Sequence, residues 1–286
     1  MPALAAPTGD TRPLVHCMTC VDSAPFAFDP QTLHPFTCPE CVELFYDPRN
    51  WGLAARDART GQALDRGDRL WQADAVATHV DPMTRRAAWA LADGVGDSPA
   101  AQFAGSFAAW ACAVSAVHTG PAGALANARA AWHLLTEERA EDGERGSAAV
   151  VVAAPTTGGG VVVSWAGDAR AYALTSDEKV YALTVDHTVA EDERRSGRTV
   201  TPGTPGEHLL TSSLRHGHIG ATTFHRPVRR LLLCSDGVHR RLGFGVVTRA
   251  LQALASPEAT ARALTLASRQ GRAHLDNAAA LVIDLP

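Results

Sequence analysis

Apolar runs that stop at an aspartate beside a glycine constrain this chain more than any other feature. Ala87-Ala88-Trp89-Ala90-Leu91-Ala92 leads into Asp93-Gly94-Val95-Gly96-Asp97, Leu231-Leu232-Leu233-Cys234-Ser235 leads into Asp236-Gly237, and the run from Val161 ends at Gly167-Asp168. A backbone that runs buried and then turns presents its first polar side chain at the edge of the core. One Asp-Gly pair alone needs no more than a tight turn to explain it. Its recurrence after long apolar runs singles out Asp93, Asp168 and Asp236 as candidates for an edge-of-core site.

A chain of 286 residues, 46% hydrophobic, has room for one large domain with a real core plus a small module. Its 26 basic and 30 acidic residues give a formal charge of -4, so no global field draws it to nucleic acid or to an anionic membrane. The start of the chain, with Pro2, Pro7, Asp10 and Pro13, lacks the pattern of a secretory signal. The stretch from Ala100 to Val117 is rich in small residues and interrupted by Gln102 and Gly105, which favours a packed helix over a membrane span. The expectation is a soluble, cytoplasmic protein without a nucleic-acid or membrane partner.

Cys17-Met18-Thr19-Cys20 and Cys38-Pro39-Glu40-Cys41 are two Cys-x-x-Cys pairs. Together they can offer four thiolates to one tetrahedral ion, and zinc is the expected structural occupant. A redox pair or unliganded cysteines are the competing readings. Residues 1–50 therefore read as a zinc-ribbon-like module, available to a protein partner, with His16 and His34 as bystanders. Residues 51–65 are polar and read as a linker, leaving 66–286 for the main domain.

Within that domain the pattern predicts a strand over Arg69 to Thr78 with a hairpin partner over Arg85 to Ala92. Helices are expected at Ala100 to His118 and Gly123 to Glu141, then strands at Ser147 to Ala154, Val161 to Ala166 and Ala169 to Leu174. Gly167-Asp168 reads as a two-residue hairpin loop with Asp168 at its tip. A strand at Lys179 to Val185 and a short helix at Val189 to Ser196 precede a Pro- and Gly-rich loop, Thr199 to Gly220. The strand Val228 to Cys234, helices at Phe244 to Ala255 and Pro257 to Gln270, and a closing strand Ala278 to Leu285 complete the chain. His187 reads as a packing residue, and Cys112 and Cys234 as core residues.

Strands on both sides of paired helices argue for an α+β fold. Asp74, Asp93, Asp236 and Asp276 lie within or beside apolar strands. Should they converge, two ionised carboxylates about 4 Å apart repel by roughly 4 kcal/mol at an effective dielectric of about 20. Such a cluster calls for cations, and all-oxygen ligands select magnesium or manganese.

Arg69 with Asp74, Asp93-Gly94-Val95-Gly96, Gly146-Ser147-Ala148-Ala149, Gly167-Asp168-Ala169-Arg170-Ala171-Tyr172, Leu183-Thr184-Val185-Asp186-His187, Cys234-Ser235-Asp236-Gly237 and Asp276-Asn277 follow one another in an order that resembles the metal-dependent, type 2C (PPM) serine/threonine protein phosphatases. The resemblance implies a four-layer α-β-β-α sandwich with two antiparallel sheets and two Mn2+ or Mg2+ ions at one end, acting on a phosphorylated protein substrate. It implies metal ligation by Asp93, the Gly94 carbonyl, Asp236 and Asp276, with Asp74 orienting the attacking water and Arg69 gripping phosphate. In the family the counterpart of Asp168 helps hold a third ion together with an Asp where this chain has Arg240, and the arginine speaks against that ion here. Ala73, Asp97 and Ala279 also depart from the usual pattern. The alternative reading is a catalytically weak phosphatase-like module that binds a phosphoprotein or signalling partner.

Overall fold

The computed structural model describes residues 14–15, 26–27, 58–137, 145–156, 158–201, 203–253, 255–270 and 275–286. The chain divides into two units, 1–53 and 54–286. In the first, β1 (Leu14–Val15) pairs antiparallel with β2 (Phe26–Ala27). Cys17, Cys20, Cys38 and Cys41, which carry the zinc expectation, lie outside the described residues.

The second unit contains strands β3 (Arg59–Asp65), β4 (Asp74–Val80), β5 (Ala87–Gly94), β6 (Ala148–Pro155), β7 (Val161–Ala166), β8 (Arg170–Thr175), β9 (Val180–Ala182), β10 (Gly220–Phe224), β11 (Val228–Cys234) and β12 (Ala278–Asp284). Its helices are α1 (Pro99–Glu137), α2 (Val189–Arg195), α3 (Asp236–Gln252) and α4 (Pro257–Ser268). One sheet has the order β10-β7-β6-β5-β4 and the other β3-β12-β11-β8-β9, with every pairing antiparallel.

The central strands read as unbroken apolar runs because both of their faces are covered. Successive side chains alternate faces, so Leu231, Leu233 and Ile283 join Trp89, Leu91, Val151 and Val163 in the core between the sheets. Leu232, Cys234 and Val282 point the other way, toward Val247 and Leu251 of α3 and Leu264 of α4. The outer face of the first sheet is covered by α1, whose Ala101, Ala104, Ala108, Ala111 and Cys112 are fully buried. That helix is long and apolar enough to cross a membrane, and most of its apolar stretch is buried within the fold.

Small residues set how closely α1 can approach. A Cβ built on Gly105 would fall 2.0 Å from the Ala73 carbonyl oxygen, immediately before the first strand of the site. Gly105→Ala is therefore expected to destabilise the domain by about 2–3 kcal/mol, because backbone must move to admit one methyl. Thermal unfolding should register it as a fall of roughly 5–10 °C.

Several expectations are corrected. The stretch 51–65 is not all linker: β3 pairs with β12 from Arg59↔Asp284 to Asp65↔Ala278. It reads as polar because it is an edge strand with alternate residues exposed, and its buried Gly61 is packed against the start of α4. Gly167-Asp168 is not a hairpin tip, since β7 and β8 lie in different sheets. Gly167 makes that crossover at φ 107°, where a Cβ would sit 2.4 Å from the Ala149 Cβ, and Asp168 is buried. β10 forms where an irregular loop was expected to end, pairing Gly220↔Trp165 through Phe224↔Val161. The helix expected from Phe244 begins earlier, at Asp236, and is broken at Gly243 (φ 69°, ψ 164°), just as α1 is broken at Gly120 (φ 72°, ψ 166°) before Pro121.

Candidate metal centre

Asp74 opens β4 directly opposite Asp93, which stands near the end of β5. Directly opposed residues of an antiparallel pair project from the same face, so register alone sets two carboxylates side by side. Gly94 follows in a tight place: its N–H donates to the Ala73 carbonyl at 3.1 Å, and a Cβ would fall 2.2 Å from the Ala101 carbonyl oxygen of α1.

The second sheet supplies the other half. Cys234 of β11 pairs with Ala280 of β12, so Asp236, just past β11, and Asp276, just before β12, leave neighbouring strands at one end. Two side chains tie this end to the first sheet. Ser235 Oγ donates to Asp74 Oδ2 at 2.7 Å and accepts from the Ala279 N–H at 2.9 Å. Asn277 Oδ1 accepts from the Ala73 N–H at 2.8 Å, while Nδ2 donates to the Arg66 and Trp71 carbonyls at 2.7 and 3.1 Å. Neither role is visible in the sequence, although each residue adjoins an expected ligand. Asp97 is a further clamp, accepting from the Leu70 and Trp71 N–H groups at 3.0 and 2.9 Å, which draws its carboxyl pKa below the usual range.

Two guanidinium groups enter the cluster. Arg69 Nη2 lies 2.7 Å from Asp276 Oδ2. Arg240 Nη2 donates to Asp168 Oδ2 at 2.6 Å, its Nε lies 3.4 Å from Asp236 Oδ2, and its Nη1 is 3.1 Å from His208 Nδ1. The Asp168 carbonyl accepts from His239 Nε2 at 2.9 Å, and burial holds that imidazole neutral, with its pKa lowered to about 3. A cleft of about 490 Å³ opens here, lined by Arg170, His208, Asp236, Arg240 and Asp276 among others. His187 stacks on Trp165 at 5.8 Å between centroids, and its Nδ1 accepts from the Gly167 N–H at 3.4 Å.

Burial dominates the electrostatics. It raises the Asp74 pKa to about 8 against the Ser235 hydrogen bond, with Asp236 and Asp276 adding to the rise. Burial and then the Asp74, Asp236, Asp168 and Asp276 carboxylates push Asp93 well above the ordinary range. Asp168 rises to about 7 through burial and Asp236, opposed by Arg240. Burial also raises Asp236, again opposed by Arg240. A carboxyl whose folded pKa is raised contributes stability that is full below its ordinary value of 3.8 and lost as pH climbs through the folded value. The metal-free protein should accordingly melt lower at about pH 8.5 than at about pH 5.5, by roughly 5 °C or more. Added Mn2+ should reverse the loss, which thermal scans with and without chelator would read.

The residues fit hard cations. Asp74 Oδ1 is buried without a hydrogen-bond partner, and the neighbouring Asp93 carboxyl offers one only by holding a proton. The donors that converge are all oxygen, as magnesium and manganese require. Among the described residues no three His, Cys, Asp or Glu side chains surround a single point, for Asp276 is turned to Arg69 and Asp168 to Arg240.

Residues 71–196 match the family model described as Protein phosphatase 2C. The PPM Ser-Thr phosphatase MsPP from Mycobacterium smegmatis, in complex with cacodylate, superposes with a TM-score of 0.62 at 26% identity, over 79% of this chain and 98% of that one. Over residues 71–196 the chain is therefore similar to protein phosphatase 2C. Phosphatases of this kind are metal-dependent hydrolases, and the paired antiparallel sheets seen here recur in the Mycobacterium tuberculosis serine/threonine phosphatase PstP/Ppp (TM-score 0.66, 24% identity, 80% of this chain and 99% of that one). The catalytic domain of PstP in complex with two manganese ions superposes on the domain with a TM-score of 0.64 at 24% identity, over 80% of this chain and 98% of that one. Among curated proteins none matches this chain.

Proposed function

We propose that the domain hydrolyses phosphoserine and phosphothreonine in proteins at the Asp93 end of the sandwich. The observation that carries this reading is that Asp74 faces Asp93 across β4 and β5, while Asp236 and Asp276 leave neighbouring strands of the other sheet at the end that Ser235 ties to Asp74. Asp93, the Gly94 carbonyl, Asp236 and Asp276 would hold two Mn2+ or Mg2+ ions, which neutralise phosphoryl charge and acidify an attacking water. Arg69 presents a forked donor beside Asp276, suited to a phosphate dianion. Ser235 holds Asp74 Oδ2, leaving Oδ1 as the atom that can take a proton inside the cluster. The family match and the manganese-bound PstP structure support the metal choice. The cysteine pairs remain a proposed site for one structural zinc ion and a surface for a protein partner, on sequence grounds.

The test is hydrolysis of a phosphothreonine peptide and of para-nitrophenyl phosphate by the purified chain, expected with Mn2+ and abolished by chelator. Activity that survives chelator would overturn the proposal. One observation favours a second reading, a phosphoprotein-binding module of weak activity: Asp236 and Asp276 are already paired with Arg240 and Arg69. Phosphopeptide binding without turnover in saturating Mn2+ would favour it.

A further inference from the structure

The two arginine–carboxylate pairs of the centre differ in a way that bears on how many cations it can take. The Arg69–Asp276 pair is open to solvent, with side chains 36% and 41% exposed. Exchange of that partner for a cation costs little, because a solvent-exposed ion pair contributes little net stability. The Arg240–Asp168 pair is enclosed, its side chains 20% and 8% exposed. It is also braced from three sides: Arg240 reaches Asp236 and His208 as well as Asp168, and His239 fixes the Asp168 backbone. Pulling one member out of an enclosed pair leaves the other charge buried without compensation.

We propose that the Arg240 guanidinium is a built-in cation on the Asp168 side of the cluster, so that the centre takes two exchangeable divalent cations and no third. The proposal rests on the metal-centre reading given above. Arg240 supplies one permanent positive charge to a group of five aspartates, Asp74, Asp93, Asp168, Asp236 and Asp276. It occupies Asp168 Oδ2 with a donor, so that oxygen is not free for an exchangeable ion. Arg240 is in this sense a positioning residue: it fixes Asp168 and partly neutralises Asp236.

The experiment counts Mn2+ by calorimetry and by electron paramagnetic resonance, using the full chain and no substrate. Wild type should bind two equivalents at the centre, and Asp168→Asn should bind two with affinities within about threefold of wild type. Arg240→Asp, which exchanges the cation for a carboxylate, should gain a third equivalent that Asp168→Asn then removes. Should Arg240→Asp fail to fold, the pair Asp168→Asn with Arg240→Gln keeps a neutral contact of similar shape and should stay at two. A third equivalent in wild type that Asp168→Asn abolishes would overturn the proposal, as would an Arg240→Asp protein that still binds only two. Absence of any Mn2+ binding by folded wild type would remove the metal-centre reading and this proposal with it.

Discussion

Asp93→Asn is expected to lower Mn2+-dependent phosphatase turnover by about a thousandfold or more while leaving the metal-free protein as stable as before, or more so. A thousandfold corresponds to about 4 kcal/mol at the transition state, the order lost when an electrostatic stabiliser is removed from a preorganised site. Asp93 faces Asp74 across the hairpin, and the Asp74, Asp236, Asp168 and Asp276 carboxylates all act on it, so its charge is central to any ion held there. The same position makes it a liability without ions, because burial and like charges both oppose its ionisation. An amide of equal shape carries no charge to desolvate. Turnover of para-nitrophenyl phosphate with Mn2+, set beside thermal melting in chelator, reads both halves. Full activity in the variant would sink the assignment, and a large fall in melting temperature in chelator would mean that Asp93 serves the fold.

Asn277→Ala is expected to cost about 2–4 kcal/mol and to raise KM more than it lowers kcat. Asn277 satisfies the buried Ala73 N–H and two carbonyls of the segment that carries Arg69. Truncation leaves Ala73 N–H without its acceptor, and a buried donor left unpaired costs more than the bond itself contributed. Asn277→Asp should fare no better, since it keeps the acceptor, loses both donors and adds charge beside Asp276. The melting temperature should fall by roughly 5–15 °C in a domain of this size. A variant as stable as wild type would mean that the 66–73 segment is held by its other ties, among them Asp97 to Leu70 and Trp71.

Much of the domain is legible in the chain because its central strands are covered on both sides. Leu231 to Cys234 is apolar at every position for that reason, and the same holds for Ala88 to Ala92. The edges are less legible. β3 carries Thr60, Gln62 and Asp65 on a half-exposed strand and looks like linker, while β10 is short and begins at a glycine packed on Trp165. Local pattern also cannot say which sheet a strand joins. A short connection between two apolar runs suits a hairpin and a crossover equally, and only the placement of Ala149 beneath Gly167 separates them.

By itself, the sequence determined that Asp93, Asp168 and Asp236 end buried runs, and the order of motifs pointed to a type 2C phosphatase. These are local properties, written in hydrophobic periodicity and in neighbours along the chain. Tertiary structure alone decided what each carboxylate meets: Asp74 facing Asp93 across one hairpin, Ser235 and Asn277 fastening the second sheet to the first, and Arg240 locked onto Asp168. Those partners are far apart in sequence. Their meeting depends on strand register and sheet packing, which no stretch of the chain encodes alone.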